Sequence, residues 1–195
     1  MANVVTDSRA SIASDPLRNF RFRVIIYHTV SGYKFTELGF MSCSGLALET
    51  AVVAYREGHF NTTPQKMPGQ TDFPPLNMAR GAMVNTPHNL KWVEQIFSAI
   101  AGTGSWVPSK NTDSFRAPYA DIQVLAHPWT ANNAVPPKLL FRVFNVWPSA
   151  IAYSDLDAGG NAILMEQMTL QHEGWKVAYA TDSYQSKPAF SSSYK

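Results

Sequence analysis

Apolar and polar positions along this chain alternate mostly with a period of two. From Phe20 to Tyr27 the sequence FRFRVIIY places Phe20, Phe22, Val24 and Ile26 on one face and then turns wholly apolar, which predicts a strand. Ser31-Gly32 supplies a turn, and Tyr33–Met41 is expected to return as its partner. From Leu46 to Glu57, Leu48, Thr50, Val52, Ala54 and Arg56 oppose Glu49, Ala51, Val53, Tyr55 and Glu57. Ala and Glu would suit a helix, but the β-branched pair Val52-Val53 tips this stretch to strand. Gly58–Pro75, with two glycines and four prolines, reads as a long loop or hairpin tip, and Leu76–Met83 as the strand that comes back.

One stretch has a helical period. Leu90, Val93, Ile96, Phe97 and Ile100 form an apolar stripe between Thr86-Pro87, a cap and a first helical position, and Gly102, a stop. The predicted helix runs from Pro87 to about Ala101. Gly102–Pro118 reads as loop, Asp121–His127 as a strand with Ile122, Val124 and Ala126 inward, and Trp129–Pro137 as a turn region. Leu139–Trp147, apolar on both faces, predicts a buried strand ended by Pro148. After the acidic turn Asp155–Asn161, the stretch Ala162–Glu173 sets Leu164, Glu166, Met168 and Leu170 against Ile163, Met165, Gln167, Thr169 and Gln171. Consecutive strands with one helix predict a mainly β fold of two packed antiparallel sheets, sandwich- or barrel-like, flanked by that helix. The expected organisation is a flexible segment 1–14, one domain 15–180, and a Ser/Tyr-rich tail 181–195.

Composition sharpens this picture. Lys and Arg number 16 against 14 Asp and Glu, a net charge of +2, so neither a strongly basic nor an acidic partner is indicated. Charged residues make up only 15% of the chain, where about 25% is ordinary. The deficit points to surface hidden in an assembly, although a polar uncharged surface would look the same. No stretch approaches the roughly 18 apolar residues that span a bilayer, and the first residues lack the apolar centre of a secretion signal, so neither membrane insertion nor export is expected.

Candidate chemistry is sparse. The five histidines show no pair at metal-ligand spacing, and Cys43 is the only cysteine, so no internal disulfide or Cys-rich zinc site is expected. His172 beside Glu173 has the form of a base and its orienter, but a locally hydrogen-bonded strand-end histidine explains it better. Cys43 would need a thiolate-favouring setting to act as a nucleophile. Gly102-Thr103-Gly104-Ser105 follows a helix instead of opening one and lacks a Lys-Ser/Thr ending, so it is assigned to helix termination. Asp155 and Asp157 read as turn residues rather than a cation site. Arg18, Arg21 and Arg23 are too few for a phosphate-binding patch. The expectation is a structural protein and not an enzyme, with no catalytic residue, metal or cofactor.

Two series of residues carry a resemblance. The distal series is Phe141–Pro148 (FRVFNVWP), then Ser154–Ala158 (SDLDA), Asn161, Glu166 and Leu170–Gly174 (LQHEG). The proximal one is Asp15–Val24 (DPLRNFRFRV), Ser44-Gly45-Leu46, Glu49, Val53, Tyr55-Arg56-Glu57-Gly58 and Arg80-Gly81. In this order, over roughly residues 15–176, they resemble the tail tube proteins of contractile-tailed bacteriophages and the inner tube subunits of phage-like contractile injection systems. Ala162–Met165, the 102–118 insert and the long C-terminal tail depart from the pattern.

The resemblance implies two packed sheets with a flanking helix, and six subunits closing a ring whose strands join into a lumen-lining barrel. Rings stack into a tail tube that conducts DNA in a phage, or effector proteins in an injection system. The implied partners are other copies of the chain, with sheath, tape-measure, baseplate and terminator proteins, and DNA passing without specific binding. The implied location is the virion tail, assembled in the bacterial host cytoplasm. Leu46–Glu57, 58–75 and Leu76–Met83 are expected to form a long hairpin whose tip touches a neighbouring subunit or ring. Assembly contacts are expected at Glu49, Tyr55, Arg56, Glu57, Gln65, Lys66, Met67, Arg80, Asp155 and Asp157, and a lumen-facing row at Gln167, Thr169 and Gln171. The Ser/Tyr-rich tail and inserts lean the reading toward a phage tube. The alternatives are an injection-system tube, a tube terminator or baseplate ring component, and, in a different class, a hydrolase using Cys43 with His172.

Overall fold

A computed structural model of the chain describes residues 17–30, 33–34, 39–56, 58, 62–83, 88–108, 114–125 and 137–179. The expected terminal segments, the helix cap Thr86-Pro87 and most of the Trp129–Pro137 turn region lie outside them. The elements are β1 (Phe22–Ile26), β2 (Thr29–Val30), β3 (Tyr33–Lys34), β4 (Ser42–Ser44), β5 (Glu49–Tyr55), β6 (Gln65–Asp72), β7 (Leu76–Gly81), α1 (His88–Ile100), β8 (Ala117–Val124), β9 (Leu139–Tyr153), β10 (Met165–Gln171) and β11 (Trp175–Tyr179). The fold is mainly β, with two antiparallel sheets in a sandwich-like arrangement and one helix, and the sheets do not close into a barrel.

Both sheets are built on β9. Residues 139–146 pair with β8, and 139–143 of them also with β11, with β1 beyond β8, whereas residues 147–153 pair with β10, followed by β7 and β4. The strand therefore does not end at Pro148, as its sequence suggests. Pro148 lies opposite Leu170, where the register with β10 shifts and Ser149 is the extra residue. A bulge tolerates a residue that has no N–H to give to the ladder. Three residues earlier Asn145 has φ 52°, the left-handed conformation that Asn adopts more readily than other side-chain-bearing residues. Its side-chain amide donates to Glu173, and backbone bonds link Phe144 to Glu173 and Gly174. Gly174, at φ 135°, lies under the Phe73 ring and turns the chain into β11, a strand absent from the sequence reading.

The bend folds one half of β9's sheet toward the other. Val24, Ile26, Ala120, Ile122 and Val143 from the first sheet meet Leu76, Met78, Met168 and Leu170 from the second, with Trp92 of α1 completing the core. The expected partner of β1 is Tyr33–Met41, of which residues 35–38 lie outside the described ones, but β1 pairs with β8, and among the described residues β3 pairs only with β2. β8 also begins inside the predicted loop, at Ala117.

The helix has close to its predicted extent but a different buried face. Asn89, Trp92 and Ala99 face the body, while Leu90, Phe97 and Ile100 from the predicted apolar stripe point outward, Phe97 being 66% exposed. Specific polar contacts hold the helix in this orientation. The Trp92 indole donates to the Phe115 carbonyl at 2.7 Å, and Asn89 donates to Glu166 Oε1 at 2.8 Å. Glu166 Oε2 in turn accepts from Arg80 Nε at 2.7 Å. Breaking a buried ion pair from one side leaves an uncompensated charge.

Three outcomes test this account. Glu166→Ala should lower unfolding stability by about 3–5 kcal/mol in urea titrations, a loss far above that of a surface substitution. Asn145→Val should cost about 1–2 kcal/mol more than Asn145→Gly, because only the branched residue resists the left-handed backbone. His172 has a pKa pushed below its usual 6.5, mainly by burial; its Nε2 bonds to the Pro74 carbonyl and its Nδ1 accepts from the Gly174 N–H. The neutral ring is the favoured folded form, so its contribution is complete above about pH 6.5 and declines as pH falls below that. The stability difference between wild type and His172→Asn should accordingly shrink between pH 7 and 5.

Candidate functional site

The predicted hairpin exists but is built differently. Its second strand is β6, inside the segment read as loop, and β7 instead joins β10 and β4 in the second sheet. Among the described residues β5 and β6 pair only with each other, with Tyr55 opposite Gln65, Val53 opposite Met67 and Ala54 opposite Lys66. Between Thr50 and Val52 the register shifts, with Ala51 set against both Gly69 and Gln70 so that β6 carries the extra residue, and the Thr50 and Thr71 hydroxyls bond at 2.9 Å. Gly69 packs against β5 so closely that a Cβ there would come 3.0 Å from the Ala51 carbonyl oxygen.

Every residue of β5 and all but Gly69 of β6 are exposed, including Val52 at 63%. An isolated two-stranded hairpin is marginal in water, and this arm carries Val53, Tyr55 and Met67 on one unsheltered face. The structure thus brings Tyr55, Arg56, Gln65, Lys66 and Met67 together toward the outer end of the arm, whereas Glu49 lies at its base opposite Asp72; Glu57 lies outside the described residues. Asp155 and Asp157 are exposed in the β9–β10 connection, where Asp157 Oδ1 accepts from the Gly159 N–H at 2.9 Å and tightens the turn. Arg80, by contrast, is 2% exposed. It ties β7 to β10 within the subunit and has no surface to offer a neighbour.

The second sheet has one buried and one open face. Register places Ser42 and Ser44 of β4, Asn77 and Ala79 of β7, Gln167 and Thr169 of β10, and Ala150 and Ala152 of β9 together on the open side. Gln171 continues the row opposite Trp147. Thr169 donates to Asn77 Oδ1 at 3.0 Å across the strands. None of these side chains is charged. The alternation in Ala162–Glu173 revealed the β10 share of this face, but the β4, β7 and β9 shares depend on register that sequence does not carry. Among the described residues, no strand pairs with the outer side of β4 or of residues 147–153 of β9. The sheet therefore ends in two open edges, which invite further strands.

The residues considered for catalysis are not assembled for it. Burial raises the Cys43 thiol to about 11, the opposite of what a nucleophile needs. His172 is committed to Pro74 and Gly174, while Glu173 pairs with Asn145 and Arg116. Among the described residues no group of three or more His, Cys, Asp or Glu lies close enough to hold a metal ion, and no helix is long and apolar enough to cross a membrane. Arg23 donates to Gln123 in the first sheet, and Arg21 lies over the Phe20 ring.

The fold is shared with solved injection-system components. A chain in the sheath–tube complex of an extracellular contractile injection system, PVC, in its extended state is 18% identical with a TM-score of 0.63, covering 86% of this chain and 95% of that one. A chain of the anti-feeding prophage baseplate is 20% identical with a TM-score of 0.63, covering 84% and 96%. One from the tube-terminating cap of the same particle is 21% identical with a TM-score of 0.59, covering 92% and 100%. No curated protein matches the chain in sequence. The family description "T4-like virus tail tube protein gp19" matches residues 18–176, from the approach to β1 into β11, and the chain belongs to that family.

Proposed function

We propose that this protein forms hexameric rings that stack into the tube of a phage tail, a conduit for DNA delivery. The observation that carries the reading is the second sheet: among the described residues it is open at both edges, packed on one face and uncharged on the other. Joining these edges between copies removes two unpaired borders at once, and a closed ring leaves no edge exposed. The uncharged face then lines the bore, with Gln167, Thr169 and Gln171 in the lumen. A polyanion slides past neutral amides and hydroxyls, whereas a Lys/Arg lining would hold it by releasing its counterions.

A second reading, the inner tube of an injection system carrying effector proteins, draws on the solved neighbours from PVC and the anti-feeding prophage and on the same neutral face, which suits cargo of either sign. The cap neighbour brings in the related possibility of a terminating ring. Sheath, baseplate and terminator proteins are the expected partners, with a tape-measure protein in the bore.

Negative-stain microscopy of the purified protein separates these roles. Long tubes are expected; rings that never stack would point to a terminator or baseplate component, and monomers at high concentration would reject the tube. Replacing residues 50–71 by a short Gly/Ser turn should leave the body folded, with unchanged near-UV dichroism, but prevent long tubes. In particles carrying Gln167→Lys with Thr169→Lys, DNA ejection should slow and become strongly salt-dependent. Ejection indistinguishable from wild type would remove these residues from the lumen.

A further inference from the structure

Between the two sheets lies a cavity of about 400 Å³, walled by Phe22, Ile122, Val124 and Phe141 of the first sheet and by Met41 and Cys43 on the β4 side. Its rim is apolar and open: Phe20 is 64% and Met41 69% exposed. Register carries this surface sideways. Phe22 lies opposite Val124, Val124 opposite Leu139 and Leu139 opposite Tyr179, so the four share one face and form a row across the end of the first sheet. Tyr179, at the far end of the row, is 73% exposed and is the last described residue. Residues 180–195 therefore continue from an apolar row that leads into the cavity.

Those residues, ATDSYQSKPAFSSSYK, lie beyond the family match, which ends at residue 176, and the tube reading makes no use of them. Tyr184, Phe190 and Tyr194 stand out in a segment otherwise made of small and polar residues. Such a segment has too little apolar surface to fold by itself, but its rings gain from burial against a surface already formed. The reach fits. Three strand spacings of about 4.8 Å put Phe22 about 14 Å from Tyr179, and five extended residues carry Tyr184 about 16 Å along. Residues 1–16 adjoin the cavity through Asn19 and Phe20, but they hold no aromatic ring and carry Asp7, Arg9 and Asp15. We infer that residues 180–195 of each copy fold back along the row from Tyr179 to Phe22 and seat Tyr184 in the cavity of the same copy. Its ring rests against Phe22 and Phe141 beside the sulfurs of Met41 and Cys43, contacts that favour an aromatic occupant. Phe190 covers the rim at Phe20 and Met41. Filling the cavity supports β4, a three-residue strand that among the described residues pairs with β7 alone. This role goes beyond the tube reading and does not depend on it.

Cys43, the only cysteine, reports on the cavity from inside. In dilute native protein at fixed pH, its reaction with N-ethylmaleimide should quicken several-fold in Tyr184→Ser and further when Phe190→Ser is added, while Ile12→Ser leaves it unchanged. Equal rates in wild type and Tyr184→Ser overturn the inference. So does quickening by Ile12→Ser alone, which would assign the cavity to residues 1–16, and so does protection that appears only as concentration rises, which would assign it to a neighbouring copy. A second measurement needs no thiol. With p-azidophenylalanine in place of Tyr184, illumination should join position 184 to Phe22, Met41 or Phe141 in a product of single-chain mass. Attachment elsewhere in the chain, or to a second chain, overturns the inference. Both measurements are made on unassembled subunits, so their failure leaves the tube reading standing, and a failure to form tubes leaves them unaffected.

Discussion

The structure depends on one strand serving two sheets. β9 runs for 15 residues, and its bend between Asn145 and Pro148 separates the residues that pair with β8 and β11 from those that pair with β10. A straight β9 would carry all its partners in a single layer, with no second layer to pack against. The bend requires a left-handed residue and a position that needs no N–H; Asn145 supplies the first and Pro148 the second. The Asn145–Glu173 contact and the turn at Gly174 lock it from the side. Two stretches of the family signature, Asn145–Pro148 and His172–Gly174, are thus parts of one structural device.

Packing the two layers produces surfaces of opposite character on the second sheet. Its inner face holds Leu76, Met78, Met168 and Leu170 together with the Arg80–Glu166 pair, which ties α1 to the sheet through Asn89. Its outer face is left with serines, alanines and amides. The low charge content of the chain therefore has two sources: this neutral face, and apolar groups left uncovered on the arm, on the outer stripe of α1 and on the β9–β10 connection. Such groups, with the sheet edges left open among the described residues, fit the assembly proposed above, in which other copies would complete the burial.

The body and the arm also differ in what maintains them. The body has a core, a buried ion pair and buried hydrogen bonds from Trp92 and Asn89, so it has the means to fold alone. The arm has one ladder of backbone bonds and no core. Its conformation carries little free energy of its own, which leaves it free to adapt to a docking surface.

Much of this was legible in the amino-acid order. Strict alternation gave away β1, β5, β7 and β10 and which residues of β10 face outward; period and breakers located the helix to within about a residue; and the serial order of short signatures identified the family. What sequence could not settle was everything decided between distant segments. The pairing of β1 with β8, the attachment of β6 to β5 alone and the outward turn of Leu90, Phe97 and Ile100 depend on long-range partners. An apolar stripe marks a face that avoids water without naming what covers it. The passage of β9 through Pro148 is the clearest instance: a proline stops a strand where the ladder needs its N–H, and only the register against Leu170 shows that here it does not. Local periodicity is a property of the chain alone, whereas register and burial belong to pairs of segments, and they come into being only when those segments meet.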